Sequence, residues 1–494
     1  RRLSTEVELS SRVRRVNAHH VADDHAPPAL RARPNQFDGS RVSPDHWSDR
    51  SWEPGALRAA QARHVMASWG TGVAAAALPL MVRAEGVFLY DAAGKQYLDW
   101  TSQAVCSNLG HTVPAAVKEA VVSQLNHLPY VYSGMGITEV RCRLAQLMAE
   151  ILPGDLSGLL FPCGGAEANE VAIRLARRFT GRQKILTHYR SYHGGTATSL
   201  AATGDFRRWF GEAGATGIVH VLSPLPYLFQ WGEDKQTATR VALAALEEQI
   251  VAEGPHTIAA LMLESIVGSG GVLVHPPGYI EGVRALCDKY GILYIADEVM
   301  VGFGRTGKLW GFQHYDGVVP DIVTSAKGLS GAYLPLACVA VSEQMRAWFD
   351  SHPLGWGATY HAHPVALACA YEVVKHMLHE ELVANAKSLE ETMINHLQAL
   401  VDVHPCVRQA RAIGLFGCLD LVDNRGHLLQ RLDAPLCPEA DVLKKAMMRE
   451  GLIGLFRPPH LHCAPPLVIT RDELVDGFGR LDRALTSLDE MLGH

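Results

Sequence analysis

No apolar run in this chain approaches the roughly 20 residues that span a bilayer, so no transmembrane helix is expected. Neither sign of charge prevails. Lys and Arg number 45 against 51 Asp and Glu, a net charge of −6. That balance gives no general attraction to nucleic acid or to an anionic membrane surface. The 10 cysteines are scattered and form no Cys-x-x-Cys pair. This argues against a disulfide scaffold and for reduced thiols, in the cytoplasm or in a mitochondrial or other organellar matrix. Internal repeats and low-complexity tracts are missing. So is an initiating methionine, and a processed or trimmed form is expected.

What is present is ordinary globular material. The chain is 48% hydrophobic and 19% charged over 494 residues, enough for a large core and two or more domains. Its start differs from the rest: "RRLSTEVELSSRVRRVNAHH" is arginine-rich and "HAPPALRARPNQ" is broken by prolines. Residues 1–55 are expected to be a flexible arm, in solvent or on another subunit. The end of an organelle transit peptide is the other reading. Arg and Ser favour it; Glu6, Glu8, Asp23 and Asp24 oppose it.

From about residue 80 two patterns alternate. "FLYDAAGKQYLDW" has the form of a hairpin, and "PAAVKEAVVSQLNHL" and "TEVRCRLAQLMAEIL" carry helical periodicity. Strand-like runs follow at 158–161, 184–187, 218–221, 257–263, 292–296 and 322–324, with helices at 166–179, 239–251 and 278–290. This alternation predicts an α/β fold with a mainly parallel sheet between helices, over residues 111–364. Residues 365–494 are helix-rich with strands such as 414–421; together with 56–110 they are expected to form a smaller α+β domain.

In such sheets ligands bind beyond the carboxyl ends of the strands. "LLFPCGGAEANEVAIRLARR" passes from a strand through Gly164 and Gly165 into a helix, whose first N–H groups can hold an anion such as phosphate. An ordinary strand-to-helix turn would look similar. "THYRSYHGG" offers Tyr192 and His193, which could cover an aromatic ring or simply pack within a loop. "LMLESIVGSGG" ends its strand in Glu264, "YIADEV" in Asp297, and "DIVTSAKGLSG" leads to Lys327. Gly302, Gly304 and Gly307 fit a dinucleotide fingerprint with Asp321 as the ribose acid. The stretch after them has no helical periodicity, which weighs against it. "HAHP" and "HLHC" lack a second cluster at zinc spacing, so no metal site is expected.

An unpaired buried carboxylate is expensive, so Asp297 needs a partner. A phosphorylated aromatic aldehyde would use all the surviving parts. Pyridoxal phosphate condenses with a lysine and pairs its ring nitrogen with an acid. Lys327 and Asp297 supply both, and an apolar pocket would free the Lys327 amine for attack.

With these stretches the chain resembles the class III (omega-type) aminotransferases, fold-type I pyridoxal phosphate enzymes. The likeness runs from about Leu78 to the end. It rests on "YLDWTSQAVCSNLGHTVP", "CGGAEANEVAIRLARR", "YHGG", "ADEVMVGFGRTG", "TSAKGLSGAYLPL", "GATYHAHPVALA" and "APPLVIT". It implies that Lys327 is the Schiff-base lysine and Asp297 the ring-nitrogen partner. It also implies that Val299 and Tyr192 flank the ring, and that Gly165 and Ala166 bind phosphate through backbone N–H. Thr359 would reach the same phosphate from a neighbouring subunit of a homodimer. Glu264 would lie near the phenolic edge, and Arg457 near the family's mobile carboxylate-binding arginine. Ala104, Val105 and Tyr132 would line the substrate pocket.

"DEVMVGFGRTG", "RSYHGGT" and "ARHVMASWG" look closest to the taurine–pyruvate and amine–pyruvate branch. The implied reaction takes an amino group from an omega-amino acid or amine to a keto acid, pyruvate. An aminomutase or decarboxylase of the same fold is the alternative within the cofactor class, and a silent binding protein the alternative outside it. Three departures stand out. The phosphate turn lacks a hydroxyl, Met300 stands where many members have Gln, and Ser265 where many have Pro.

Overall fold

The computed structural model describes residues 53–211, 216–226, 229–429 and 438–494. Residues 1–52, nearly all of the expected arm and the transit-peptide reading with it, lie outside the described residues. Two units are distinguished, up to Leu78 and from Pro79 onward. The first contains the helices Pro54–His64 and Gly72–Ala76, neither with a buried residue.

The centre of the second unit is a seven-stranded sheet. In chain order its strands are β1 (Leu156–Leu160), β2 (Lys184–His188), β3 (Ile218–Val221), β4 (Ile258–Glu264), β5 (Leu293–Asp297), β6 (Ile322–Ser325) and β7 (Cys338–Ser342). Their spatial order is β1-β7-β6-β5-β4-β2-β3. The pairings from β6 through β5, β4 and β2 to β3 are parallel. β7 runs antiparallel to β6 and β1. The sequence anticipates the other six strands to within a few residues and omits β7, a five-residue run that brings no crossover helix with it. All seven residues of β4 are buried, as a strand covered on both faces requires.

The helix α1 (Gly165–Thr180) follows β1 and lays Ala168, Asn169, Val171, Ala172, Ile173, Leu175 and Ala176 against the interior. It stops at Gly181, whose φ of 69° only glycine adopts without strain. The helices α2 (Lys235–Glu253) and α3 (Tyr279–Tyr290) lie where the periodicity puts them. A four-stranded sheet pairs Met81–Glu85, Phe88–Asp91 and Gln96–Asp99 with Leu452–Ile453 from near the other end of the chain. A second joins Val407–Ile413, Phe416–Leu421, His460–Cys463 and Leu455–Arg457, all antiparallel. Among the described residues no helix is long and apolar enough to cross a membrane.

Candidate active site

The register of the sheet decides which strand ends meet. Asp297, the last residue of β5, lies beside Glu264 of β4 on one side and Thr324 of β6 on the other. Lys327 follows three residues after Thr324, in a short turn with a left-handed φ of 45°. The expected acids and lysine are thereby gathered at the carboxyl edge of three adjacent strands.

Asp297 is buried and well partnered. Its Oδ2 accepts from Nδ1 of His193 at 2.7 Å and Nδ2 of Asn169 at 2.9 Å, and its Oδ1 from the Val299 backbone N–H at 3.0 Å. His193 is therefore not a ring cover, as the loop sequence suggested. It lies buried under Asp297, with Nε2 against the Thr187 hydroxyl at 3.1 Å. Burial opposes a charge on this imidazole, but its hydrogen bond with Asp297 and that residue's charge outweigh it and raise the pKa. Asn169 was missed by the sequence reading. Its signal was a polar residue on the apolar stripe of α1.

The neighbouring Glu298 turns away. Its oxygens accept from the Ser265 hydroxyl and from the backbone N–H groups of Gly311 at 2.6 Å and Phe312 at 3.0 Å. Burial still pushes its pKa up to about 7. The Ser265 hydroxyl thus serves Glu298. Glu264 bridges two turns. Its Oε1 accepts from the Tyr192 N–H at 2.9 Å and Oε2 from the Gly268 N–H at 2.8 Å, while burial raises its pKa to about 7. Met300 packs its sulfur where a Cβ on Gly268 would otherwise sit.

The Lys327 side chain is half-buried, and its amine has no hydrogen bond or ion pair among the described residues. Desolvation lowers its pKa and Arg457 adds to the shift; Asp297, Cys106 and Glu264 oppose it. At the start of α1, Gly164 is extended and Gly165 leaves room that a side chain would fill. A Cβ on Gly165 would come within 2.6 Å of Val299 Cγ1. A Cβ on Gly194 would likewise meet Ala166 at 2.6 Å, so the "YHGG" turn rests on the same helix end. Tyr192 is half-buried, with the Arg207 guanidinium 3.6 Å above its ring.

The remaining expected residues fall in three places. Ala104 is exposed in a kinked turn, while Val105 packs with Ile266, Val272 and Val301 in an apolar cluster. Thr359 and Tyr132, both exposed, are grouped with each other: Tyr130 Oη donates to the Thr359 carbonyl at 2.7 Å, and a Cβ on Gly357 would lie 3.9 Å from Tyr132 Oη. Neither is bonded to Asp297 or Lys327. Arg457 ends the strand Leu455–Arg457 rather than lying in a loop, and its Nη1 donates to Ser269 Oγ at 3.2 Å. Burial, then Arg207, lowers its pKa to about 10. No carboxylate is bonded to it among the described residues.

The competing motifs resolve differently. Gly304 and Gly307, with φ of 88° and 78°, let the glycine-spaced loop wrap the fully buried Arg305. That guanidinium donates to Leu415 O, Pro465 O, Ser102 Oγ and Asn108 Oδ1, and no helix begins among the glycines. In "HAHP" and "HLHC", His361 bonds Ser133, His460 bonds Asp420, and His462 bonds the Gly268 carbonyl. Cys418, Asp420 and His460 stand close enough together to hold a cation. The Arg411 guanidinium already takes that place, donating to Asp420 at 2.6 and 2.8 Å.

This geometry can be set beside known proteins. Residues 72–485 match the family model described as aminotransferase class-III. The chain is 31% identical to diaminobutyrate–2-oxoglutarate transaminase of Halomonas elongata, covering 83% of this chain and 90% of that protein. It is 37% identical to taurine–pyruvate aminotransferase of Rhodobacter capsulatus, covering 70% and 77%. Among solved structures it is similar to taurine:2-oxoglutarate aminotransferase from Bifidobacterium kashiwanohense, in complex with PLP and glutamate. There the TM-score is 0.85 and the identity 38%, over 90% of this chain and all of that one. An (S)-enantioselective omega-transaminase from Thermomicrobium roseum superposes with a TM-score of 0.83 at 34% identity, over 89% of this chain. With the family model spanning most of its length, this chain belongs to the class-III aminotransferases and is a pyridoxal phosphate-dependent transaminase.

Proposed function

We propose that the enzyme moves an amino group from an omega-amino acid or amine, taurine-like or aryl-alkyl, to pyruvate. The observation that carries this is the unpartnered, desolvated amine of Lys327 next to Asp297, a carboxylate fixed by His193 and Asn169. The relatives' named donors, taurine and diaminobutyrate, each carry an acid group besides an amine.

The residues fit the cofactor. Gly165 keeps the end of α1 open, its Cβ position lying against Val299, and Lys327 is ringed by protein without being tied down. Gly165 and Ala166 would hold the phosphate at the positive helix end through backbone N–H groups. Asp297 would pair the ring nitrogen, Val299 and Tyr192 would face the ring, Glu264 would border its phenolic edge, and Lys327 would bind it covalently. When bound, pyridoxal phosphate supplies an aldehyde that condenses with amines and a ring that withdraws electrons.

The protein's own part is positioning and proton transfer. His193 and Asn169 fix the Asp297 carboxylate in one orientation, which Val299 N–H completes. Lys327 Nζ, with its pKa lowered by burial, is the base placed to take a proton from the substrate carbon and return it. Arg457, at the end of its strand, binds the acid group of donor or acceptor, and Ala104, Val105 and Tyr132 border the space for the rest. Thr359 serves the phosphate of a neighbouring copy, so the working unit is a homodimer. We propose the same division as above, 111–364 against 56–110 with 365–494; the strand pairing of Leu452–Ile453 with Gln96–Asp99 supports it.

Lys327→Ala tests the assignment directly. The purified variant is expected to lose turnover and the visible absorbance of the covalently bound cofactor. A cofactor adduct that borohydride still reduces onto the variant would refute the role of Lys327.

A further inference from the structure

The turn that follows the strand Gln96–Asp99 has a shape its residues do not favour. Ser102, Gln103 and Val105 have φ of 47°, 62° and 59°, and none of them is glycine. Gln103 is the extreme case. Its ψ of −102° puts it in the mirror image of an extended strand, which only glycine enters without strain. Strain of this kind persists only where the surrounding contacts over-determine it, and it gathers at functional sites.

One carboxylate holds the turn in this shape. Asp99 is fully buried. Its Oδ1 accepts from the Thr101 N–H at 3.2 Å and the Gln103 N–H at 3.0 Å. Its Oδ2 accepts from the same Gln103 N–H at 3.0 Å, from Gln103 Nε2 at 3.0 Å and from His111 Nε2 at 2.9 Å. Thr101 Oγ1 donates to the Gln103 carbonyl at 2.9 Å, so both backbone polar groups of Gln103 are held.

The turn is also fixed to the site. Ser102 Oγ donates to the Ala464 carbonyl at 2.7 Å and accepts from Arg305 Nη2 at 3.0 Å. Val105 shares an apolar cluster with Ile266 and Val301, which follow Glu264 and Asp297 in the chain. Asn108 Nδ2 donates to the Phe303 carbonyl at 3.0 Å, and a Cβ on Gly328, next to Lys327, would stand 2.5 Å from that nitrogen. Gln103 and Ala104 are left exposed at the edge of the turn.

We propose that Asp99 is a positioning residue for the amine donor: it locks the turn 101–106 in its strained shape, and that shape sets the wall of the donor pocket beside Lys327. This rests on the transaminase reading of the same site. A turn free to relax places its exposed edge in several positions, and the donor then loses a preformed surface.

Asp99→Asn turns one acceptor into a donor facing Gln103 and His111. The half-reaction is run with 1-phenylethylamine and with β-alanine and followed by the change in bound-cofactor absorbance. The apparent Kd for the donor is expected to rise about ten- to a hundredfold, with little change in the limiting rate. Cofactor affinity, from an absorbance titration, should stay that of the wild type, because Gly165, Asp297 and Lys327 are untouched. His111→Ala removes one donor but keeps the Asp99 charge, which opposes the lowering of the pKa of the buried Arg305. It should give a smaller rise of the same kind, and it also serves if Asp99→Asn does not fold. Adding Gln103→Gly to either variant should recover part of the loss, since glycine takes the same shape without a clamp. An unchanged apparent Kd, or a rise that Gln103→Gly does not relieve, overturns the proposal. So does a parallel loss of cofactor affinity, which would make Asp99 a general support of the fold. Any of these results with a wild type that accepts either amine leaves the transaminase reading intact. Wild type inert towards both amines overturns both.

Discussion

Asp297 and Glu298 are adjacent buried acids that meet the cost of burial in different ways. Asp297 has a charged or chargeable donor in His193; Glu298 has only a hydroxyl and two backbone N–H groups. Removing His193 should therefore be felt at the cofactor. His193→Ala is expected to weaken cofactor binding about ten- to a hundredfold, the loss of a charge-assisted bond of about 1.5–3 kcal/mol, read from an absorbance titration. Unaltered affinity would mean that His193 only packs. Glu298 should instead be felt in stability. Its folded pKa of about 7 exceeds the 4.5 of an ordinary Glu, so the folded state binds its proton more tightly. The resulting destabilisation is absent below about pH 4.5, grows through the window and is complete above about pH 7. Glu298→Gln places an amide nitrogen against one of the backbone N–H donors of Gly311 and Phe312, so its stability relative to the wild type should start low near pH 5 and improve steadily towards pH 8, seen in urea midpoints across that range. A difference that does not vary with pH would contradict this. At Arg457, replacement by Ala should lower the efficiency with pyruvate relative to a neutral aryl-alkyl amine about ten- to a hundredfold. Equal losses in both half-reactions would make the residue structural.

At the scale of elements, the site depends on how closely α1 approaches the turn after β5. Gly165 permits that approach, because its missing Cβ is where Val299 Cγ1 lies. Gly165→Ala should push the two apart and reduce cofactor affinity. Val299→Ala in the same chain should restore part of it, since the clash is with a side chain and not with backbone. Stopped-flow binding of the cofactor to the single and double variants measures this. Failure of the second change to help would place the strain in the helix start itself. Gly204 differs, because the atom it would strike is the His188 carbonyl and no side-chain trimming can relieve that contact.

For the whole molecule, the segment around Thr359 is the telling one. Thr359 lies with Tyr130 and Tyr132, and Met135, Ile137 and Tyr360 nearby in the chain are 83%, 82% and 64% exposed. Exposed apolar residues gathered in this way suit an interface. If Thr359 completes the site of a second copy, two defective proteins should rescue each other. Mixed Lys327→Ala and Thr359→Ala subunits, refolded together at limiting cofactor, should be more active than either alone. The mixed dimer contains one site with both residues intact. Activity no greater than the average of the parents would place Thr359 in its own subunit's site or in none.

The sequence alone was enough for the alternation of strand and helix, because central parallel strands are apolar throughout and surface helices are periodic. It also marked Asp297, Glu264 and Lys327, since a polar residue that ends an apolar run has few structural uses. It could not tell Asp297 from Glu298 by environment, nor see that His193 supports a carboxylate instead of covering a ring. Those depend on the register that sets β5 between β4 and β6, and on loops that meet only in the folded chain. β7 escaped because an antiparallel strand inserted by a loop leaves no crossover helix in the pattern. Glu264 holds the Tyr192 and Gly268 turns together, and its contact with Tyr192, between residues 72 positions apart, is one that only the tertiary structure decides.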